Sequence, residues 1–402
     1  MSKSNVYTRL SAVFSSTHNK TSSIKPSKLT KPKTTPISRD KLPKTLNHKI
    51  KELLQEKDSH ILVEKFKNLS QYSYFRERCR DIYKLTIHRL ALAKEYTLIE
   101  KALESQKIYV GTEGFGSRII YLYGKYGMFD HAYKVFDEMP ERKCKQGVKS
   151  FNALLGAAAN SEKYDKVYEL FRELPEKMPI ELNVDCYNTA MHALCNTGLV
   201  QDAVLLLDEM EVNGLKPDDV SFNTLLCVYY ERGECKDGDK LWERMIKSNV
   251  VPNIQSYNFK LKGLINNDKL LDALELATQL NNLGIKPDVC TYNVVINGLI
   301  KDDDLVSVKE WYRKMLKSGC VPNKATFGTL VPFLCQKGDY ELAFELCENM
   351  FKGRHCSVDE AALQNVVDGL AKNSTAEKAK VLVELGLSNS YSPYHLIMPN
   401  CA

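Results

Sequence analysis

The sequence predicts an all-α protein, a right-handed α-solenoid of helix-turn-helix repeats. The first observation is an aromatic–Asn pair that recurs at steps of 36, 35, 35 and 35 residues. The five pairs are Phe151-Asn152, Tyr187-Asn188, Phe222-Asn223, Tyr257-Asn258 and Tyr292-Asn293. Two apolar columns keep the same period. A fixed period of about 20–50 residues is the signature of stacked repeats, which bury together what one repeat cannot bury alone.

Numbering the 35-residue repeat from Val184 as column 1 brings out both apolar columns. Column 20 holds small or β-branched residues: Ala132, Val167, Ala203, Gly238, Ala273, Val308 and Ala343. Column 27 holds Met or Leu: Met139, Leu174, Met210, Met245, Leu280, Met315 and Met350. Small residues at column 20 are predicted to let the second helix of each repeat pack closely against the first.

Within each repeat the apolar positions follow helical spacing in two runs, at about columns 2–14 and 17–29. Glycine separates the runs at column 15 in four repeats, where a helix end favours a residue tolerant of positive φ. These are Gly127, Gly198, Gly233 and Gly338. Lys-Pro-Asp or Val-Pro-Asn closes four repeats, and proline there ends the second helix. Each repeat is therefore predicted to be a helical hairpin.

The register divides the chain into five segments. Residues 1–39 carry eight Lys/Arg, abundant Ser/Thr and no acidic residue, which is typical of a disordered organellar transit peptide. A generic basic tail is the alternative. Residues 40–112 are predicted to be degenerate helical repeats and 113–359 seven regular repeats. Residues 360–387 are predicted to be a degenerate C-terminal capping repeat, followed by a fraying tail at 388–402.

The charge distribution limits the functional classes. Outside residues 1–39 the chain has 48 Lys/Arg against 50 Asp/Glu, so the folded body is not a globally basic nucleic-acid binder. Any attraction for RNA must come from local patches. Arg9, Arg39 and the early Leu and Phe residues favour a mitochondrial over a chloroplast location. No apolar run approaches 18 residues, so no membrane span is expected.

Residues with catalytic or metal-binding chemistry are scattered. The twelve cysteines include no C-x-x-C pair and are predicted to be small buried hydrophobic residues. His88, His131, His192 and His355 have no partnered nucleophile or paired acids in the sequence. Neither enzymatic activity, nor a metal site, nor a cofactor is predicted.

The repeat resembles the pentatricopeptide repeat (PPR). The resemblance covers at least residues 113–359 and rests on the 35-residue length, the aromatic–Asn pair, the two apolar columns and the closing Pro-Asp or Pro-Asn. Because all repeats are about 35 residues long, the chain resembles the P subclass of the family. The stretches 123–132 and 135–142 resemble short plant mitochondrial PPR proteins, a group that includes subunits of the mitochondrial ribosome. No deaminase-type zinc pattern follows the repeats.

The resemblance implies binding of single-stranded RNA at one base per repeat. In the family, column 5 and the last residue of a repeat face the base. The pairs here are Asn152 with Asn183, Asn188 with Asp218, Asn223 with Asn253, Asn258 with Asp288 and Asn293 with Asn323. The resemblance implies U for Asn with Asp, and C or U for Asn with Asn. The expected target is a pyrimidine run, Y-U-Y-U-Y, read 5′ to 3′ from the N-terminus. Helix capping by the same residues is the structural alternative.

Two further columns are implied by the resemblance. Column 2 supplies an apolar wall against the base, which Val220 fits but Lys149, Asp185 and Gln255 do not. Column 13 carries a groove lysine, which is present here only as Lys125 and Lys301. Two lysines in seven repeats predict modest, salt-dependent affinity.

Three functions remain open from the sequence. The first is an RNA-binding adaptor in an RNA–protein assembly such as the mitochondrial ribosome, with a pyrimidine tract or ribosomal RNA and ribosomal proteins as partners. The second is a free RNA processing or stability factor. The third is a protein–protein scaffold without RNA binding, against which the repeated column-5 Asn argues.

Overall fold

The computed structural model describes residues 44–352, 359–373, 375–388 and 394–399. The predicted transit peptide lies outside these residues. The described chain is helical and contains no β-strand within these ranges. This confirms the predicted all-α class, built of helix-turn-helix repeats. The chain forms two compact units, which meet in sequence between Leu225 and Leu226.

The N-terminal unit contains eleven helices and the beginning of a twelfth in its described part. They are α1 Lys44–Gln55, α2 Ser59–Ser70, α3 Ser73–Arg78, α4 Arg80–Leu92, α5 Tyr96–Glu104, α6 Glu113–Lys125, α7 Phe129–Asp137, α8 Val148–Asn160, α9 Tyr164–Lys177, α10 Val184–Thr197, α11 Val200–Val212 and the start of α12 Asp219–Glu231. Short 3₁₀ turns occupy Lys107–Tyr109 and Pro140–Arg142. From α6 onward, the helices alternate as first and second members of the repeats.

The C-terminal unit begins within α12 and continues the alternation. Its helices are α13 Cys235–Lys247, α14 Ile254–Asn266, α15 Leu270–Gln279, α16 Val289–Lys301, α17 Leu305–Lys317, α18 Lys324–Gln336, α19 Tyr340–Lys352, α20 Glu360–Lys372 and α21 Ala376–Leu387. Each repeat between 113 and 352 thus contributes one hairpin.

Burial of column 20 explains the close pairing of helices in a repeat. Ala203 and Ala273 are fully buried, and Val308 is 1% exposed. Gly238 has no room for a side chain, because a Cβ there would lie 2.8 Å from the ring of Tyr230. The small residues are therefore needed for the approach of the second helix, as the sequence pattern predicts.

Left-handed backbone ends the first helix in every repeat from 113 to 352. Glycine takes this conformation at the four predicted column-15 positions, with φ between 71° and 91°. Glu162, Asp268 and Asp303 adopt it in the other repeats, at φ of 56°, 57° and 62°. Because a side chain disfavours positive φ, the turn is imposed by the packing of the two helices rather than by the local residue.

The part before the regular repeats has its own aromatic core. The fully buried rings of Phe66 and Phe75 pack against Tyr83 at centroid distances of 4.7 and 5.3 Å. The Tyr83 hydroxyl donates to Gln106 Oε1 at 2.9 Å. Burial raises the pKa of Tyr83 to about 12, so the phenol stays neutral.

The C-terminal segment differs from expectation. A fraying tail was predicted for 388–402, and this is wrong for residues 394–399. Tyr394 and Leu396 are each 6% exposed, and the Tyr394 amide donates to the carbonyl of Gly386 at 3.1 Å. The Ile397 amide donates to Gln364 Oε1 at 2.9 Å. These residues cover apolar surface of the last hairpin, which no further described repeat buries.

No helix in the described part of the chain is both long and apolar enough to cross a bilayer.

Candidate nucleic-acid interface

A polar cluster joins the first helices of neighbouring repeats. In the C-terminal unit, Asp288 caps α16 by accepting from the Thr291 backbone N–H at 2.9 Å, while the Asp288 N–H donates to Thr291 Oγ1 at 3.1 Å. This reciprocal pair is a capping box. Asn258 of the preceding repeat donates its amide Nδ2 to Asp288 Oδ1 at 3.1 Å. Thr291 Oγ1 donates to Asn258 Oδ1 at 2.8 Å. We call such a trio an amide cluster.

Three further amide clusters have the same geometry. In each, Nδ2 of the column-5 Asn donates to the cap, at 3.1, 3.1 and 3.2 Å. The column-3 side chain of the next repeat donates to Oδ1 of that Asn, at 2.8, 2.6 and 2.8 Å. The trios are Asn152–Asn183–Cys186, Asn188–Asp218–Ser221 and Asn293–Asn323–Thr326. Four of the five predicted base-reading pairs are therefore brought into direct contact.

The fifth pair is divided between the two compact units. Asn223, in the N-terminal unit, is 2% exposed. Asn253, in the C-terminal unit, caps α14 by accepting from the amides of Gln255 at 2.9 Å and Ser256 at 3.1 Å. Asn223 is thus buried like the column-5 residues Asn188 and Asn258, and Asn253 caps a helix like the other repeat-end residues.

The four clusters fix the orientation of their column-5 amides. A carboxylate such as that of Asp288 only accepts hydrogen bonds, so the Asn258 nitrogen must face it. In the Asn–Asn case, Asn323 Oδ1 is fixed as an acceptor because it caps the Thr326 N–H at 3.1 Å. Each amide retains one N–H and one carbonyl lone pair beyond these bonds. Asn188 and Asn258 are only 2% and 6% exposed, so the helix-capping role of the clusters is structural as well.

The column-3 residues were missed by sequence reasoning. Ser221 and Thr291 each lie 33 residues from the Asn they contact, so only the folded repeat brings them together. A signal was present, because column 3 of six consecutive repeats is small and capable of hydrogen bonding. It reads Ser150, Cys186, Ser221, Ser256, Thr291 and Thr326. Cys186 substitutes a thiol, and burial raises its pKa to about 12, so it remains a neutral donor.

The first regular repeat uses a different cap. Gly147 has no side chain to cap α8, and the carboxylate of Glu113 takes this role instead. Glu113 Oε1 accepts from the amides of Lys149 at 3.0 Å and Ser150 at 3.1 Å. Ser117, at column 5, donates to the Glu113 carbonyl at 2.7 Å. This repeat therefore lacks an amide cluster, in keeping with the sequence.

The side chains of the remaining predicted contact residues take no part in the hydrogen bonds of the amide clusters. Val220 is 6% exposed and offers little apolar surface to a base. Lys125 is exposed, with its ammonium 5.6 Å from the Tyr126 ring centroid. Lys301 is also exposed and lies 3.5 Å from Asn266 Oδ1, the column-13 residue of the preceding repeat. Both ammonium groups can reach solvent or a polyanion.

No group of three or more His, Cys, Asp or Glu side chains in the described ranges is placed to hold a metal ion. His192 is 8% exposed, and burial lowers its pKa to about 4, so the ring is neutral at physiological pH. His131 lies 3.3 Å from Glu100 and stacks on Tyr123. His355 lies outside the described residues.

These features define a helical-repeat protein whose neighbouring hairpins are joined by oriented Asn amides. Comparison with family models identifies the repeat. The PPR repeat family model matches residues 182–226, 217–266, 252–301 and 287–334, and the PPR repeat model matches 117–144 and 149–177. The chain belongs to the pentatricopeptide repeat family.

Similar proteins share part of the chain. Small ribosomal subunit protein mS79 (rPPR3b) of Arabidopsis thaliana is 49% identical over 163 residues, 40% of this chain and 41% of that protein. A mitochondrial pentatricopeptide repeat-containing protein of the same plant is 34% identical over 47% of this chain and 48% of its own length. The chain therefore aligns with less than half of these relatives. The structure of maize PPR10 matches with a TM-score of 0.49 and 17% identity, over 85% of this chain and 55% of PPR10.

Proposed function

We propose that this protein binds single-stranded RNA through its amide clusters, as a subunit or adaptor of an RNA–protein assembly in mitochondria. The observation that carries the proposal is the recurrence of one oriented Asn amide per repeat, at the position where the PPR family reads a base. Capping and joining of repeats would serve a scaffold as well, so the proposal rests on the one donor and the one acceptor that each amide keeps after its cluster bonds are made.

The chemistry suits a pyrimidine. Each column-5 Asn keeps one N–H donor and one acceptor lone pair, which can pair with the edge of U or C. The cap sets the charge behind the amide: it is a carboxylate at Asp218 and Asp288, and a neutral amide at Asn183, Asn253 and Asn323. We expect U at the two Asp repeats and U or C at the three Asn repeats. The proposed target is Y-U-Y-U-Y, running 5′ to 3′ from the N-terminus.

The charge of the folded body favours an assembly over a lone factor. Outside residues 1–39 the acidic residues outnumber the basic ones by 50 to 48. Only two column-13 lysines, Lys125 and Lys301, are available to phosphates at that column. Few phosphate contacts mean weak, salt-sensitive binding, which other subunits can supplement by avidity.

The relatives point the same way. The name of one similar protein places it in a small ribosomal subunit, and that of another in mitochondria. We propose ribosomal RNA and ribosomal proteins as partners, a role in translation, and no catalytic activity. A free RNA processing or stability factor is the second candidate, since the same clusters would serve a single transcript.

Sedimentation separates these candidates. Mitochondrial lysate is fractionated on a sucrose gradient, and the protein is followed in the ribosomal and light fractions. We expect it to migrate with a ribosomal particle and to move to light fractions after the particle is dissociated. Exclusive migration in light fractions, with RNA still bound, supports the free factor. Absence of RNA from the purified protein in both pools would overturn the RNA-binding proposal.

A further inference from the structure

In the five repeats from 148 to 323, the residue two positions before the cap differs with the charge of that cap. It is Lys216 before Asp218 and Lys286 before Asp288, but Val251 before Asn253 and Val321 before Asn323. The repeat ending in Asn183 also lacks a lysine at this position, where it has Glu181. Among these five repeats, lysine therefore accompanies only a carboxylate cap. We call this position the pre-cap residue.

The fold presents the pre-cap residues to solvent beside the amide clusters. Lys216 and Lys286 are exposed, while the prolines that follow them are buried. Val251 and Val321 are 81% and 78% exposed, which is unusual for apolar side chains and shows that the fold does not use this position for packing. Neither lysine forms an ion pair with another residue in the described part of the chain.

Each pre-cap lysine is close enough to its cap carboxylate for the two charges to interact. Two residues of extended chain span at most about 7 Å, and proline holds the residue before it in an extended conformation. The ammonium of Lys286 can thus approach the carboxylate of Asp288 to about one Debye length, roughly 8 Å at physiological salt. Asp288 itself has extended backbone, with φ −109° and ψ 178°, and turns its carboxylate into the amide cluster.

Charge compensation explains why lysine accompanies a carboxylate cap. A carboxylate beside the base repels the phosphate of the nucleotide being read, whereas a neutral Asn cap does not. A lysine two residues away, exposed and with no ion pair to the residues that the structure describes, offsets that repulsion. Resting on the proposed RNA binding, we propose that Lys216 and Lys286 contact the RNA backbone phosphates beside the two repeats that end in Asp.

The test exchanges lysine and valine, the two residues that four of these repeats carry at the pre-cap position. Binding of a fluorescent oligouridine to the full chain is measured by anisotropy across a salt series. Lys286→Val should make the negative slope of log affinity against log salt shallower by about 0.7, and weaken binding roughly fivefold at about 0.1 M salt. Val321→Lys, which installs lysine at the equivalent pre-cap position, should make the slope steeper and raise the affinity by similar amounts.

Lys236→Val is the matched control. Lys236 is exposed at the start of α13, the second helix of its repeat. The substitution removes the same charge as Lys286→Val, but at the end of the hairpin opposite the caps. Equal effects of Lys236→Val and Lys286→Val would show that only net charge matters and would overturn the proposal. An unchanged slope for Lys286→Val, with binding still dependent on the base, would overturn this inference alone. Absence of any RNA binding by the unmodified protein would overturn it together with the proposed function.

Discussion

The Thr291 hydroxyl offers the sharpest test of the amide cluster as a structural unit. Thr291 is fully buried, and Thr291→Val keeps its shape while removing the hydroxyl. The variant leaves the Asp288 N–H without its acceptor at 3.1 Å and Asn258 Oδ1 without its donor at 2.8 Å. Each unpaired buried group costs about 1–3 kcal/mol. Since Asp288 and Asn258 retain other bonds, we expect a loss near the lower end, about 2 kcal/mol in total.

Hydrogen–deuterium exchange with mass spectrometry reads this loss locally, which matters because a repeat array does not unfold as one unit. Amides of α14 and α16 should exchange about 30-fold faster at 2 kcal/mol. Thr329→Val is the control, since the Thr329 hydroxyl bonds only the Ala325 carbonyl of its own helix. It should change stability by less than about 0.5 kcal/mol. Equal exchange in the two variants would refute a cluster that joins neighbouring repeats.

Three further predictions concern the N-terminal unit. Gly124→Ala should destabilise it by about 1–3 kcal/mol, because the new Cβ would lie 2.5 Å from the Ala157 Cα, whereas Gly156→Ala meets open space and should stabilise α8 by roughly 0.5–1 kcal/mol in urea titrations. Glu162→Gly should raise the melting temperature, since it relieves a positive φ worth about 1 kcal/mol. Burial lowers the pKa of His192 to about 4, so the free energy of unfolding falls as pH drops from about 6.5 towards 4. Between pH 7.5 and pH 5, the unmodified protein should lose about 2 kcal/mol more of its free energy of unfolding than the His192→Leu variant.

Most of the fold could be predicted from the periodicity of the sequence. A residue repeated every 35 positions reports the same environment in each repeat, so burial at columns 20 and 27 could be predicted without knowing any contact. The left-handed turns at Glu162, Asp268 and Asp303 could be expected only by analogy with glycine in the sister repeats. Their own side chains disfavour that conformation, and the helix pair imposes it.

The candidate site was predictable in part. The Asn and cap pairs were found because both lie in repeated columns, and the structure joins four of them. Their column-3 partners were overlooked, since Ser or Thr near a helix start is also typical of a local cap. The burial of Val220 depends on how the helices pack, and the substitute cap of Glu113 depends on a missing side chain at Gly147. Neither follows from residue type alone.

Exchanging two caps tests the central claim most directly. Asp288→Asn and Asn323→Asp each convert one natural cluster into the other, and both caps hold their partners at matching distances of 3.1 and 3.2 Å, so the fold should be retained. Affinity is measured for an oligouridine and for versions with C at the fourth or fifth base of the tract. The unmodified protein should prefer U over C at the fourth base by about tenfold, the value of one hydrogen bond. Asp288→Asn should abolish that preference, and Asn323→Asp should create one at the fifth base. Identical base preferences in all three proteins would contradict base reading by the amide clusters.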